Sequence, residues 1–365
     1  MKRYKIACKL LFIGLFTCFS FNGVSLVAAA TESDQALEKV AAKPNVAILF
    51  DEKFLLHNTG PNHPERPERL KLVVSQLKEN KLLARKLYWP TFTPASTEAL
   101  QMVHTLEYLK LVEAETQALG SHGIANLSTG DTVISTHTLE TAKLAVGAGI
   151  AGVDEVMARR ATSAFAIVRP PGHHATRSRG MGFCVFNNIA ITAKHLQRQY
   201  GLKRILIVDF DVHHGNGTQD IFYGDDTVFY FSVHQHPFYP GTGRPNETGT
   251  GKGKGYTLNV DLPAGSGDEA ILSAINQKLK PAMETFKPEF ILVSAGIDAH
   301  QGDLLGRLNY TDTGYTAIAK ALREIAISSA DGRMVYMLEG GYTPENITNA
   351  VTNILTVLTE SPTRN

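Results

Sequence analysis

Four apolar, strand-like runs in this chain each end in side chains suited to metal-assisted hydrolysis. Residues 164–168 (AFAIV) lead into Arg169-Pro170-Pro171-Gly172-His173-His174, and residues 204–208 (RILIV) into Asp209-Phe210-Asp211-Val212-His213-His214-Gly215-Asn216-Gly217. Residues 290–295 (FILVSA) run into Gly296-Ile297-Asp298, and residues 333–338 (RMVYML) into Glu339-Gly340-Gly341-Tyr342. Ligands of open α/β sheets bind beyond the carboxyl ends of the strands, so chemistry at four such ends predicts one site. Asp211 and His213 are two apart and project the same way, while Asp298 approaches from another strand end. Two carboxylates and one imidazole make three metal ligands and leave a fourth position for water or substrate, the pattern of a catalytic centre. The donors suit zinc, with ferrous iron or cobalt as alternatives. Taken singly, Asp211 reads as a helix cap and His213 as an ordinary polar loop residue; the three together do not.

Asp209 lies in the same run, facing the same way as Asp211. A buried carboxylate needs partners, so it either orients a histidine or helps hold a monovalent cation together with backbone oxygens. His173 and His174 follow a stiff Pro-Pro-Gly turn and can act as a base and an acid if each has its own carboxylate or amide partner. Tyr342, after two glycines, is placed to bring a phenol to a polarised carbonyl; elsewhere such a tyrosine is a packing residue.

Positioning these residues requires buried strands between helices. The runs 45–50, 164–168, 204–208, 227–233, 256–261, 290–295 and 333–338 read as strands, and most lack polar alternation, as expected of a sheet covered on both faces. Helical patterns fall near 65–80, 104–119, 138–159, 187–199, 268–286, 311–328 and 345–359, with Asp312 as the cap before Tyr315 and Ile318. The alternation predicts an α/β fold with helices on both faces of a mostly parallel sheet, in one domain from residue 45 to 365. The glycine-rich segment 241–255 reads as a long loop bordering the site.

The amino terminus has another purpose. Lys2, Arg3, Lys5 and Lys9, an apolar stretch from Leu10 to Phe21, and Ala28-Ala29-Ala30 follow the layout of a secretory signal peptide over residues 1–30, with a flexible leader over 31–44. The apolar run is short for a membrane span. Cleavage near Ala30 removes four basic residues and leaves 32 basic against 35 acidic, without any basic cluster to attract nucleic acid. It also leaves Cys184 as the only cysteine, so no internal disulfide can form. The expected location is the periplasm or the exterior, with no membrane association after cleavage.

The residues resemble those of the zinc-dependent histone deacetylase family, which includes acetylpolyamine amidohydrolases. The similarity runs from His57 to Tyr342. It takes in His63-Pro64-Glu65-Arg66-Pro67-Glu68-Arg69, the 169–174 segment, Gly182-Phe183-Cys184 with Phe186-Asn187-Asn188, the 209–217 segment, Tyr239-Pro240-Gly241-Thr242-Gly243, Gly296 to His300, and Leu338 to Tyr342. The resemblance implies a three-layer αβα, arginase/deacetylase-like fold. It assigns zinc to Asp211, His213 and Asp298. It implies His174 as general base with Asn216 as its partner, His173 paired with Asp209, and Tyr342 as the donor to the carbonyl oxygen. A structural potassium is implied at Asp209, Asp211, His213, Ser232 and Val233, partly through backbone oxygens. Phe183 and Tyr239 match the aromatic pair of the acyl-lysine tunnel, with Gly182, Leu305, Asp131 and Gly340 as further substrate-binding positions. Arg69 is implied beside an interior channel associated with acetate.

Three departures stand out. Asn216 occupies a place where one large branch has Asp, and as a neutral partner it stabilises an imidazolium less. Leu304 replaces a common proline. Leu305 stands where a polyamine-selective relative carries an acidic gatekeeper, and an apolar residue there argues against strong selectivity for a cationic polyamine. The expected activity is removal of acetyl groups from acetylated lysine side chains or similar amines, as small molecules, peptides or proteins. The alternatives are an acetylpolyamine amidohydrolase, an arginase-like ureohydrolase and an inactive acyl-lysine-binding protein. The ureohydrolase requires carboxylates for a second ion that His213 to Gly217 do not provide, and the inactive binding protein predicts a missing catalytic residue.

Overall fold

A computed structural model describes residues 46–121 and 123–360; the predicted signal peptide and leader lie outside the described residues. The central sheet has eight strands: β1 (Val46–Leu49), β2 (Leu87–Tyr88), β5 (Ser163–Ala166), β6 (Ile205–Asp209), β7 (Val228–Gln235), β8 (Thr257–Leu262), β9 (Phe290–Ala295) and β10 (Met334–Leu338). Their spatial order is β2-β1-β5-β10-β9-β6-β7-β8, and every pairing is parallel. Every residue of β1, β5, β6, β9 and β10 is buried, which explains why these runs lack polar alternation. The antiparallel pair β3 (Ile124–Asn126) and β4 (Val133–Ser135) stands apart from the sheet.

Helices cover both faces. Thr138–Met157 packs against β1, β5 and β10 and against Asn188–Tyr200. Glu68–Glu79, Asp312–Ser329 and Pro344–Leu358 pack on one another, with Pro344–Leu358 between the other two. The α/β architecture with a three-layer arrangement is the one expected.

Local chemistry moved several boundaries. The helix expected over 268–286 is interrupted by a π-turn at Ile275–Leu279. Pro281 follows at once and offers no N–H to an α-helical ladder. The helix expected to be capped by Asp312 is instead capped by Thr311, whose Oγ1 accepts the Gly314 N–H at 3.1 Å. The short strand β2, the β3–β4 pair and the helix Asn216–Phe222 were not foreseen.

Candidate active site

The four strand ends foreseen in the sequence do converge, because β5, β10, β9 and β6 are consecutive in the sheet. Asp209 closes β6 and lies opposite Ser294 of β9 on one side and Ser232 of β7 on the other. Just beyond it, Asp211 and His213 meet Asp298. The His213 Nδ1 lies 3.1 Å from Asp211 Oδ1 and 3.2 Å from Asp298 Oδ2. Backbone donors hold the carboxylates in place: Val212 N–H to Asp298 Oδ1 at 2.9 Å, and Gly340 N–H to Asp211 Oδ2 at 2.9 Å.

These three side chains bring their donor atoms within one coordination sphere. Burial, and the adjacent Asp211 charge, push the Asp298 carboxyl up to about 7. Burial alone would lower the His213 imidazole, but Asp211 and Asp298 outweigh it and raise the imidazole to about 9. Two buried acids crowded on one imidazole, with no Lys or Arg among the described residues paired to them, fit a divalent cation, and the nitrogen-plus-oxygen set fits zinc. Gly340, foreseen as a substrate contact, lies between the two carboxylates. A Cβ there would stand 2.6 Å from Asp211 Oδ2 and closer still to Asp298 Oδ2.

The two histidines have opposite environments. His173 Nδ1 faces Asp209 Oδ2 at 3.1 Å, and the same oxygen accepts the Tyr230 hydroxyl at 3.0 Å. Burial opposes the charged form of His173, yet Asp211 and Asp209 overcome it and hold the ring well above its usual pKa. His174 Nδ1 donates to Asn216 Oδ1 at 2.8 Å, leaving Nε2 as a free base. Burial, followed by the neighbouring imidazoles of His173 and His213, holds His174 well below its usual pKa. Two rings with centroids 4.0 Å apart thus differ in charge. That division is what acid–base chemistry needs.

Above them opens a cavity of about 220 Å³ lined by Asp131, His174, Gly182, Phe183, His213, Phe238, Tyr239, Leu305 and Tyr342. The Tyr342 ring meets Phe183 edge-on, with centroids 6.0 Å apart. Tyr239 stands edge-on to His174 at 5.2 Å and is 38% exposed, so it forms the rim. Gly182 supports the His174 ring so closely that any Cβ would collide with it, and its φ of +56° suits glycine. Asp131 lies in the wall and anchors that turn, its Oδ1 accepting the Gly182 N–H at 2.7 Å. Leu305 faces the cavity, whereas Leu304 is 66% exposed. Ser232 and Val233 are buried in β7 beside Asp209.

Other contributors had no periodic signal. Phe238 stacks on His213 with ring centroids 5.2 Å apart; its place between Pro237 and Pro240 was the available clue. His63 packs edge-on against Phe183. Asp303 Oδ2 accepts the Tyr342 N–H at 2.7 Å. Glu65 binds Arg169 Nε at 2.6 Å and Arg69 Nη1 at 2.7 Å, all fully buried. The Arg69 guanidinium lies 5.1 Å from the Tyr342 ring centre. His173, Cys184 and Glu339 are also close enough to share an ion. Their donors are otherwise committed, because burial keeps the Cys184 thiol protonated and Glu339 accepts backbone amides.

A parallel sheet whose central strand ends bring together a polarised histidine pair, a carboxylate–imidazole ligand set and an aromatic-walled cavity defines a hydrolase of the arginase/deacetylase-like class. Comparison with known proteins narrows this. Residues 63–358 match the histone deacetylase domain. The chain is 44% identical to a "Probable deacetylase" of Archaeoglobus fulgidus over 299 residues, covering 82% of this chain and 81% of that protein. It is 39% identical to the human "Polyamine deacetylase HDAC10" over 82% of this chain and 45% of that protein. The crystal structure of the HDA15 HD domain superimposes with a TM-score of 0.81 at 36% identity, covering 88% of this chain and 90% of that one. The chain belongs to the histone deacetylase family, and its chemistry is that of a deacetylase-type amidohydrolase.

Proposed function

We propose that the chain is a zinc-dependent deacetylase that releases acetate from acetylated lysine side chains, acting outside the cytoplasm. The observation that carries this reading is the cavity walled by Phe183 and Tyr239, which also takes in His174, His213 and Tyr342 and has the apolar Leu305 in its lining. Asp211, His213 and Asp298 would hold zinc, which would supply Lewis-acid chemistry at the amide carbonyl. His174 Nε2 takes the proton from water, since Nδ1 is committed to Asn216. His173 stays charged against Asp209 and stabilises negative charge developing on the substrate. The Tyr342 hydroxyl, which burial keeps protonated, donates to the same oxygen. Phe183 and Tyr239 keep water from an aliphatic side chain between them.

A polyamine substrate is the second reading, favoured by the Asp131 carboxylate in the cavity wall and by the human relative's name. Turnover of an acetyl-lysine peptide and of acetylspermidine, side by side, separates the two. Chelation must abolish activity and zinc restore it; activity that survives thorough chelation refutes the metal. A monovalent-cation site at Asp209, Asp211, His213, Ser232 and Val233 is part of the reading, supported by the pairing of Asp209 with Ser232. Exchanging potassium for a large organic cation should then lower the melting temperature. Export is supported by the basic, apolar and small-residue order of residues 1–30. Mature protein that begins at Met1 and is confined to the cytosol overturns it.

A further inference from the structure

Glu339 is a carboxylate that the chemistry above does not use, yet it is buried at 1% exposure beneath the histidine pair. Its Oε2 accepts two consecutive amides, from Gly172 at 2.7 Å and His173 at 3.2 Å, and its Oε1 accepts the Ser294 hydroxyl at 2.9 Å. Its own N–H donates to Ala295 O at 3.2 Å, and its carbonyl accepts Arg69 Nη2 at 2.5 Å. The next residue, Gly340, donates to Asp211. This one residue therefore ties β10, β9, the Glu68–Glu79 helix and the 170–174 turn together.

Burying a carboxylate is unfavourable unless its lone pairs are satisfied, and burial pushes this one up to about 7. A position needing only bulk would take an apolar side chain at less cost. What an acid provides here is a pair of acceptor oxygens on a stem fixed by the strand. One of them, Oε2, faces the two amides that set the direction of the chain carrying His173 and His174, and Oε1 is held by Ser294. A turn of Pro170, Pro171 and Gly172 has few donors of its own, since proline has no N–H. Gly172 cannot take a side chain to brace it either, because a Cβ there would stand 2.5 Å from Asn188 N.

We propose that Glu339 is a positioning residue of the histidine pair, fixing through the Gly172 and His173 amides the backbone from which both imidazoles project. This rests on the hydrolase reading, and the experiment keeps the two apart, because wild-type turnover of the acetyl-lysine peptide or acetylspermidine is measured first. Silence of zinc-loaded wild type on both sinks the hydrolase reading. With wild type active, Glu339→Gln and Glu339→Ala are compared for kcat, KM, bound zinc and melting temperature. Glutamine can present its carbonyl to both amides and its NH₂ to Ser294, whose hydroxyl rotates to accept.

Glu339→Gln is therefore expected to stay within about five-fold of wild-type kcat. Glu339→Ala should lose about 100-fold, the effect of misplacing catalytic groups by roughly 1 Å, with KM changed by about two-fold at most and zinc content unchanged. Glu339→Met, equally long and lacking strong acceptors, replaces Ala if that variant does not fold. A Gln variant that folds, binds zinc and is as impaired as Ala or Met overturns the proposal, because charge and not position would then matter. Wild-type kcat in the Ala or Met variant overturns it too.

Discussion

Gly340→Ala is the sharpest test of the ligand set. The glycine has no left-handed φ, so alanine brings no backbone strain of the kind it would bring at Gly341, where φ is +116°. Its methyl group enters the space between the two carboxylates, 2.6 Å from Asp211 Oδ2 and 2.7 Å from Asp298 Cγ. Neither acid can swing away freely, because Asp211 Oδ2 is held by Gly340 N–H and Asp298 Oδ1 by Val212 N–H, each at 2.9 Å. To reach ordinary van der Waals contact at 3.4 Å, Asp211 Oδ2 must retreat by 3.4 − 2.6 = 0.8 Å and Asp298 Oδ2 by more, whereas metal ligands tolerate about 0.2 Å. Disturbing the groups that orient ligands typically lowers metal affinity about 10- to 100-fold, or roughly 1.4–2.7 kcal/mol. Competition for zinc against a chromophoric chelator measures this directly, without an activity assay. Saturating zinc should restore part of the turnover. A Gly340→Ala protein that holds zinc as tightly as wild type refutes the assignment of Asp211 and Asp298.

Tyr342→Phe should reduce kcat about 10²- to 10³-fold while KM moves little, as for loss of one oxyanion donor; a rise in KM at constant kcat would make Tyr342 a binding residue. Asn216→Asp gives His174 a charged partner and should raise the pKa of the acid limb of kcat/KM by about 1 unit or more, since the base must be neutral to act; an unmoved limb removes His174 from that role. His104 is buried and its Nε2 accepts the Asn187 N–H at 2.9 Å. Burial lowers its pKa to about 4 in the folded protein, so the folded state is disfavoured progressively as pH falls below the unfolded value of about 6.5. Replacing it by Gln, which presents an acceptor at the same reach, should lower the wild-type stability advantage by about 2 kcal/mol between pH 7 and pH 5 in urea titrations. Parallel curves for the two proteins would contradict this.

The chemistry was legible because it sits on strand ends, where a buried apolar run makes a recognisable signal immediately before the reactive residues. Asp211, His213 and Asp298 came together because β6 and β9 are neighbours, a pairing suggested by the general rule for α/β sheets. What composition hid were contacts between distant segments. Glu65 meets Arg69 four residues on, but its second partner, Arg169, lies 104 residues away, and no local pattern marks that pairing. Asp131 sits on the connection between β3 and β4, strands of three residues each, and the exposed β3 carries no alternation to read. The π-turn at Ile275–Leu279 is likewise invisible to an apolar count that continues across it.

The sheet order has a consequence for how the molecule comes into being. β10 is the last strand in chain order among the described residues, yet it lies inside the sheet, between β5 and β9. Taking residues 334–338 out of the sheet order would leave two groups of strands, β2-β1-β5 and β9-β6-β7-β8, with the facing edges of β5 and β9 unpaired. The histidine pair follows one half and the ligand set the other, while Tyr342 arrives with the closing strand. The complete site therefore requires β10 in place between β5 and β9, a pairing of segments far apart in the chain.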